Sequence, residues 1–178
     1  TMIKDKNLSK KLSEDVDEME KMLSEYLQFA SFGAKEKSET FDLSELVENI
    51  INKYENPNIS KNYNKRIYFN GRKNLIQRCI NNLIDNSIKY GEKTNLIIEK
   101  KVSNIVISIE DDGPGIPKSE YENVIKPFYK IDKSRSESKS SVGLGLAISS
   151  DIIKSHGGDI NLSKSNLGGL KVMISLPV

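Results

Sequence analysis

Two asparagines four residues apart, Asn82 and Asn86, are followed by Lys89 and Tyr90 in a stretch whose apolar positions 76, 79, 80, 83 and 84 recur at helical spacing. Asparagine is a poor interior helix residue because its carboxamide competes for backbone hydrogen bonds, so something other than helix propensity favours these two. At 100° per residue Asn82, Asn86 and Lys89 fall within roughly 60° of one another on the edge of the apolar face, with Tyr90 beside them. One stripe therefore offers two amide oxygens, an ammonium and an aromatic ring. Amide oxygen is a hard, neutral ligand suited to Mg²⁺, which keeps several waters and the oxygens of a bound phosphate chain, and Lys89 adds a point charge for that phosphate. Taken alone, a merely solvated helix face explains the stripe equally well.

A second constellation, Asp111-Asp112-Gly113-Pro114-Gly115-Ile116, follows a strand directly. Its glycines let the backbone turn tightly and approach a flat ligand, and a strand-end carboxylate accepts a hydrogen bond from an exocyclic amine such as that of adenine. A plain turn is the bland reading. The third is Gly143-Leu144-Gly145-Leu146-Ala147 at the start of a helix, where unpaired N–H groups and the positive helix end suit phosphate. The Walker A and dinucleotide spacings are both absent. Between the second and third, residues 130–141 (K-I-D-K-S-R-S-E-S-K-S-S) are too polar to bury and read as a mobile loop.

These segments need elements to hold them. A helix over 75–90, strands over 93–100 and 105–110 forming a hairpin, a helix from Leu144 to about Ser155 ending at Gly157-Gly158, and a closing hairpin of 160–163 and 170–176 across 166–169 follow from periodicity and turn residues. Upstream, Asp42 with Glu45 forms a capping box and Phe41 with Leu46 a hydrophobic staple. They open a helix whose Leu43, Leu46, Val47, Ile50, Ile51 and Tyr54 face a core. Residues 56–64 read as a polar turn and 66–69 as a short strand. Leu12, Val16, Met19, Leu23, Tyr26 and Ala30 alternate spacings of four and three, the seam of a long N-terminal bundle helix; a helix folded onto its own domain is the alternative. Gly33 ends it, 34–40 is a polar linker, and a domain boundary falls at 38. The interleaved order argues an α+β two-layer sandwich of a mixed β-sheet and helices.

Composition narrows the classes. The 178 residues allow one compact domain plus an appendage. A formal charge of +2 gives no support for nucleic acid binding. The single cysteine, Cys79, has no intrachain partner and fits a reducing compartment. No apolar run approaches the ~20 residues of a membrane span. Thr1 before Met2 suggests an excised piece of a longer protein. The only histidine, His156, lies at a predicted helix C-terminus and reads as structural.

The three motifs in this order resemble the signature of sensor histidine kinases: Asn82-Leu83-x-x-Asn86-Ser87-x-Lys89-Tyr90 is similar to the N box and Asp111-x-Gly113-x-Gly115 to the G1 box. Pro127-Phe128-Tyr129 is similar to the F box and Gly143-Leu144-Gly145-Leu146 to the G2 box. The resemblance implies a dimerisation and histidine-phosphotransfer helix and linker over 1–38. It implies a catalytic ATP-binding domain over 39–178, of the Bergerat fold shared with gyrase B, MutL and the 90 kDa heat-shock chaperone. The run 109–116 and the G-L-G-L-A-I ending look most like the EnvZ osmosensor group.

By the same resemblance Asn86 would coordinate Mg²⁺, Asn82 would lie close to the metal or a phosphate, Lys89 would meet the phosphates and Tyr90 the nucleotide. Asp111 would hold the adenine amino group, Gly113, Gly115 and Ile116 would shape the base pocket, Phe128 would anchor a lid, and Gly143, Leu144, Gly145 and Leu146 would line the triphosphate. Lys130, Lys133 and Arg135 are lid cations that could reach the γ-phosphate or simply be solvated. Ser141 and Val142 stand where the G2 box usually begins with Gly-Thr, and Ile125 replaces a Phe common in the F box. ATP and Mg²⁺ are the implied cofactors. The dimerisation hairpin of a homodimeric parent and a response regulator receiver domain are the implied partners, and the implied place is the cytoplasmic face of an inner-membrane parent. The acceptor histidine would lie upstream of Thr1, so the chain should bind ATP without phosphorylating itself. Related ATPases or serine kinases, which usually place a Glu where Asn82 stands, and a non-catalytic nucleotide-binding dimerisation module are the alternatives.

Overall fold

The structure is a computed structural model and describes residues 12–13, 16–17, 19–20, 23–24, 36–55, 58–131 and 143–178. The elements are β1 (Glu39–Asp42), α1 (Leu43–Ile51), β2 (Ile59–Tyr63), β3 (Tyr68–Gly71), α2 (Lys73–Tyr90), β4 (Thr94–Lys100), β5 (Asn104–Asp111), a 3₁₀ turn (Lys118–Glu120), α3 (Tyr121–Val124), α4 (Gly145–Lys154), β6 (Asp159–Lys164) and β7 (Leu170–Pro177).

Five strands form one mixed sheet in the order β2-β4-β5-β7-β6. Every neighbouring pair is antiparallel except β2 and β4, which run parallel and are joined through β3 and α2. A separate ribbon pairs β1 with β3. The alternation along β4, β5 and β7 sends Leu96, Ile98, Ile105, Ile107, Ile109, Val172, Ile174 and Leu176 to one face. Helices α1, α2 and α4 close over that face with Leu43, Val47, Ile76, Ile80, Ile84, Ile152 and Ile153, all but excluded from solvent. This is the expected α+β sandwich of a mixed sheet and a helical layer.

Local chemistry explains the helix starts. Asp42 caps α1, its Oδ1 accepting the amides of Ser44 at 2.9 Å and Glu45 at 3.3 Å. Burial alone would raise the Asp42 carboxyl, but the Ser44 hydroxyl and those amides outweigh it and hold it below its ordinary value. Leu43 and Leu46 are buried, as expected of the core-facing side of this helix.

Three expectations need correction. Residues 56–64 are not all turn, because β2 lies within them. An edge strand with only Ile59 and Tyr63 half-buried and Ser60, Lys61 and Asn62 exposed shows no apolar alternation to read. The strand expected at 66–69 begins at Tyr68, since Arg66 sits at φ +64 and breaks the extended chain. The polar linker expected over 34–40 stops short, because Glu39 and Thr40 are already in β1, where pairing with β3 and not an apolar pattern makes the strand; the short helices after residue 117 gave no sequence signal. Of the N-terminal seam, Leu12, Val16, Met19 and Leu23 are helical and exposed. Tyr26, Ala30 and Gly33 lie outside the described residues.

Candidate functional site

Close approaches at glycine bring the distant motifs together. A Cβ on Gly113 would stand 2.6 Å from the Tyr90 carbonyl, so the loop after β5 abuts the end of α2. Asp112 ties the same ends, its Oδ1 accepting the amides of Glu92 at 2.7 Å and Lys93 at 2.8 Å. These backbone donors, led by that of Lys93, hold the Asp112 carboxyl below its ordinary value. The third motif arrives from the other side. Asn82 Nδ2 donates to the Gly145 carbonyl at 3.4 Å, and a Cβ on Gly145 would lie 3.5 Å from Asn86 Nδ2 and 4.0 Å from its Oδ1. Asn82, Asn86, Gly113 and Gly145 are therefore gathered along the C-terminal half of α2.

Asp111 is the buried acid of the site, at 7% exposure. Its Oδ1 accepts the amides of Gly113 at 2.9 Å and Leu170 at 3.1 Å, and its carbonyl accepts Gly169 N–H at 3.1 Å. Among the described residues no donor engages Oδ2. Burial raises the carboxyl above its ordinary value; the two amides oppose this and the nearby Asp112 charge adds to it. The result is a carboxylate with one oxygen fixed by the fold and one left to accept from a ligand. The tip of the β6–β7 hairpin is its back wall. A Cβ on Gly169 would fall 2.1 Å from Asp111 Oδ1 and 2.5 Å from Gly113 N, and one on Gly115 would lie 3.2 Å from the Gly169 carbonyl. Gly91, Gly169 and Leu170 adjoin the candidate site although sequence reasoning missed them, and Asp112, quoted within the second motif, was given no task of its own. A Gly-Gly pair at a hairpin turn carries no signal beyond the turn.

The other expected residues divide. Ile116 and Leu146 pack partly buried against the core and Leu144 is 2% exposed, so Gly143 to Leu146 can offer a ligand their backbone. Lys89 Nζ stands 5.5 Å from the Tyr90 ring centroid, placing cation and ring side by side at the exposed end of α2. Phe128 was expected to anchor a lid, yet its ring is 53% exposed and its backbone makes the tie, donating N–H to the Gly143 carbonyl at 3.1 Å. Phe128 at φ +64 and Gly143 at φ +74 are both left-handed. Tyr129 donates to Glu120 Oε2 at 2.5 Å and Asn123 Nδ2 donates to the same oxygen at 3.2 Å, bracing the approach to the lid. Lys130 packs its Cγ near Gly143. Lys133, Arg135, Ser141 and Val142, with the loop they belong to, lie outside the described residues.

Mg²⁺ fits the donors present. The half-buried Asn86 carboxamide takes part in no hydrogen bond among the described residues and faces a glycine, so its oxygen is open to an external group. No cluster of three or more acidic, Cys or His side chains suited to a metal exists among the described residues. An oxygen ligand beside substrate phosphates and several retained waters meets the preference of Mg²⁺ for an all-oxygen shell.

Two buried groups stand apart. His156 Nε2 accepts the Arg72 amide at 3.1 Å and its Nδ1 lies 2.7 Å from the Ile152 carbonyl, which can only accept. Both ring nitrogens are used, with the proton on Nδ1, and burial holds the imidazole below its ordinary pKa. This agrees with a structural histidine. Burial pushes the Cys79 thiol up to about 12, so it is an inert core residue. A cleft of about 410 Å³, lined by residues 62–67 and 97–100, lies at the opposite end of β4 from Thr94, the residue paired with Asp111. It contains none of the site residues.

Residues 71–178 match the family model described as histidine kinase-, DNA gyrase B-, and HSP90-like ATPase. The sensor histidine kinase GtrS of Pseudomonas aeruginosa is 32% identical over 178 residues, covering 99% of this chain and 37% of its own length. The mycobacterial sensor histidine kinase MprB superposes with a TM-score of 0.68 at 22% identity, over 79% of this chain and 97% of that one. The histidine kinase AdeS of Acinetobacter baumannii gives 0.68 at 23% identity, over 94% and 82%. At those identities the two structures speak for the fold. The chain spans a little over a third of the length of GtrS.

Proposed function

From the chain's membership of the histidine kinase-, DNA gyrase B- and HSP90-like ATPase family we propose that it supplies the catalytic nucleotide site of a sensor histidine kinase, moving the γ-phosphoryl group of Mg-ATP to a histidine on a dimerisation hairpin. Residues 71–178 are an ATP-binding domain of the histidine kinase kind. The observation that supports the site assignment is the meeting of Asn82 and Asn86 with Gly145 at the start of α4, and of the Asp111–Gly113 loop with the end of α2, along one half of that helix.

Each part has a task that its chemistry allows. Asp111 Oδ2 accepts from the adenine amino group while Oδ1 stays bound to the amides of Gly113 and Leu170. Gly113 and Gly115 let the loop after β5 pack against the end of α2 and the β6–β7 hairpin tip, which shapes the base pocket, and Ile116 gives the base an apolar wall. Lys89 and the backbone at the start of α4 meet the phosphates, with Tyr90 beside the nucleotide. Asn86 offers its amide oxygen to Mg²⁺, with Asn82 next to it; the ion, when bound, neutralises charge on the transferring phosphoryl group. The bond from the γ-phosphorus to the bridging oxygen breaks, ADP departs, and the phosphoryl group joins an imidazole nitrogen. Lys130, Lys133 and Arg135 are proposed to approach the γ-phosphate, and Phe128 to hinge the lid through its backbone.

The acceptor is supplied by another segment, because His156 is committed at both ring nitrogens. The division at 38 into a phosphotransfer helix with linker and a catalytic domain is part of the same proposal. So are a homodimeric hairpin, a receiver-domain partner and a parent at the inner membrane with this portion in the cytoplasm. No helix among the described residues is long and apolar enough to cross a membrane. A water-activating ATPase is disfavoured by the stripe itself. The position one turn before Asn86 is the amide Asn82, and the neighbouring carboxylate of Asp85 is engaged by the Tyr54 hydroxyl at 2.7 Å.

Calorimetry with ATP and GTP, each with and without Mg²⁺, tests the reading. ATP should bind at least tenfold more tightly than GTP, which lacks the amino group that Asp111 accepts, and Mg²⁺ should strengthen ATP binding. Equal affinity for the two bases would remove the Asp111 assignment.

A further inference from the structure

Helix α2 opens without a cap of its own. Its N-cap residue, Arg72, makes no capping side-chain bond and its first turn holds no acid. A helix N-terminus left this way has unpaired N–H groups that need outside acceptors. Two side chains remote in sequence supply them. His156 Nε2 takes the Arg72 amide. Glu36 takes two more, its Oε1 accepting the Asn74 amide at 2.7 Å and its Oε2 the Leu75 amide at 3.3 Å. A carboxylate at that position also meets the positive end of the helix dipole, which makes the contact stronger than a neutral cap.

Glu36 precedes β1 and so belongs to the connecting stretch, not to the sandwich. We propose that it is a docking latch. Its carboxylate fastens the connecting stretch at residue 36 to the helix that carries Asn82 and Asn86, so that the docking of Glu36 and the occupancy of the nucleotide site bias each other. The geometry is direct. At ~1.5 Å per residue, Asn86 lies only about 18 Å along the same rod from the Asn74 amide. No hinge interrupts α2 between them, its hydrogen-bonded turns running from Lys73 to Tyr90. Capping by Glu36 steadies the first turn, and a ligand on the asparagine stripe steadies the same helix from its other half; coupling of this kind acts equally in both directions. The docking half of the proposal stands on the two hydrogen bonds alone, while the coupling half rests on the nucleotide-binding reading.

The test uses the full chain as wild type, Glu36→Ala and Glu36→Gln, with amide hydrogen exchange at Asn74 and Leu75 followed with and without Mg-ATP. Without nucleotide, Glu36→Ala should speed both amides about fivefold or more, the effect of losing one good cap, and Glu36→Gln, which keeps an acceptor without the charge, should fall between. Mg-ATP should slow both amides further in the wild type. It should do so less in Glu36→Ala, whose ATP affinity should drop by the same factor. Unchanged exchange in Glu36→Ala overturns the latch. Faster exchange with wild-type ATP affinity and wild-type protection by nucleotide reduces Glu36 to a helix cap and overturns the coupling. A wild-type chain that binds no ATP overturns the functional reading and the coupling with it, while the apo exchange rates still decide the docking. Should Glu36→Ala fail to fold, Glu36→Gln carries the same comparison with a smaller change.

Discussion

In the proposed site Asp111 is a residue held at a cost for the sake of its ligand. Its pKa is raised in the folded chain, so the folded state binds a proton to higher pH than the unfolded state does, and stability falls as pH rises through that window. At neutral pH the ionised group therefore costs stability. Asp111→Asn keeps an oxygen for the Gly113 and Leu170 amides but turns an NH₂ toward the adenine amino group, donor against donor. Thermal unfolding should show a midpoint equal to or above that of the wild type, while ATP affinity falls on the order of ten- to a hundredfold, the loss expected for a charge-assisted hydrogen bond. A lowered midpoint with ATP affinity intact would reverse the roles given to the two oxygens. Asn86 is the converse case, a side chain with no hydrogen bond to lose among the described residues. Asn86→Ala should leave the melting temperature nearly unchanged and weaken Mg-ATP binding far more than Mg-free adenosine binding. Equal loss of both would end its role toward the metal.

At the level of elements, the junctions matter more than the elements themselves. The β6–β7 hairpin tip reaches Asp111 only because Gly169 has no side chain. Gly169→Ala must push a methyl group into Asp111 Oδ1 and Gly113 N, so it should lower the thermal midpoint by several degrees and abolish base binding. Gly143 is constrained differently, by φ +74 and by a Tyr129 carbonyl 2.8 Å from where a Cβ would stand. Gly143→Ala should cost ~1–2 kcal/mol from the left-handed backbone alone and loosen the tie to Phe128. The β3–α2 and α4–β6 junctions are joined by His156, whose neutral form is the one that fits, since a proton on Nε2 would point at the Arg72 N–H. Its folded pKa is lowered, so its contribution is complete above about pH 6.5 and is lost as pH falls toward the folded value. Denaturant titrations at pH 7.5 and 5.5 should show a larger loss of stability in the wild type than in His156→Gln; equal losses would exclude the histidine as the pH-sensitive clamp.

Over the whole molecule, the proposed nucleotide site lies along the C-terminal half of α2, and the only imidazole sits at the other end of that helix, beside Arg72 and already engaged. Incubated alone with Mg-ATP, the chain should therefore acquire no acid-labile phosphate, and mixed with a dimerisation hairpin bearing an acceptor histidine it should transfer label to that hairpin. Label on His156 instead would overturn the assignment of that residue.

The motifs, the order of most elements and the α+β class were legible because each rests on local rules. Three-to-four spacing marks the buried face of α2, alternation marks β4, β5 and β7, and Asp42 announces α1 through a hydrogen bond that spans two or three residues. Even the stripe of Asn82, Asn86 and Lys89 follows from helix geometry alone. Beyond the reach of such rules lay β2, an edge strand whose partner β4 begins some thirty residues later, and the contacts of Gly169, Leu170 and Glu36, which join residues 38 to 59 positions apart. Those pairings exist only once the sheet is assembled, because what selects a glycine at 169 or an acid at 36 is the neighbour that tertiary packing brings to it.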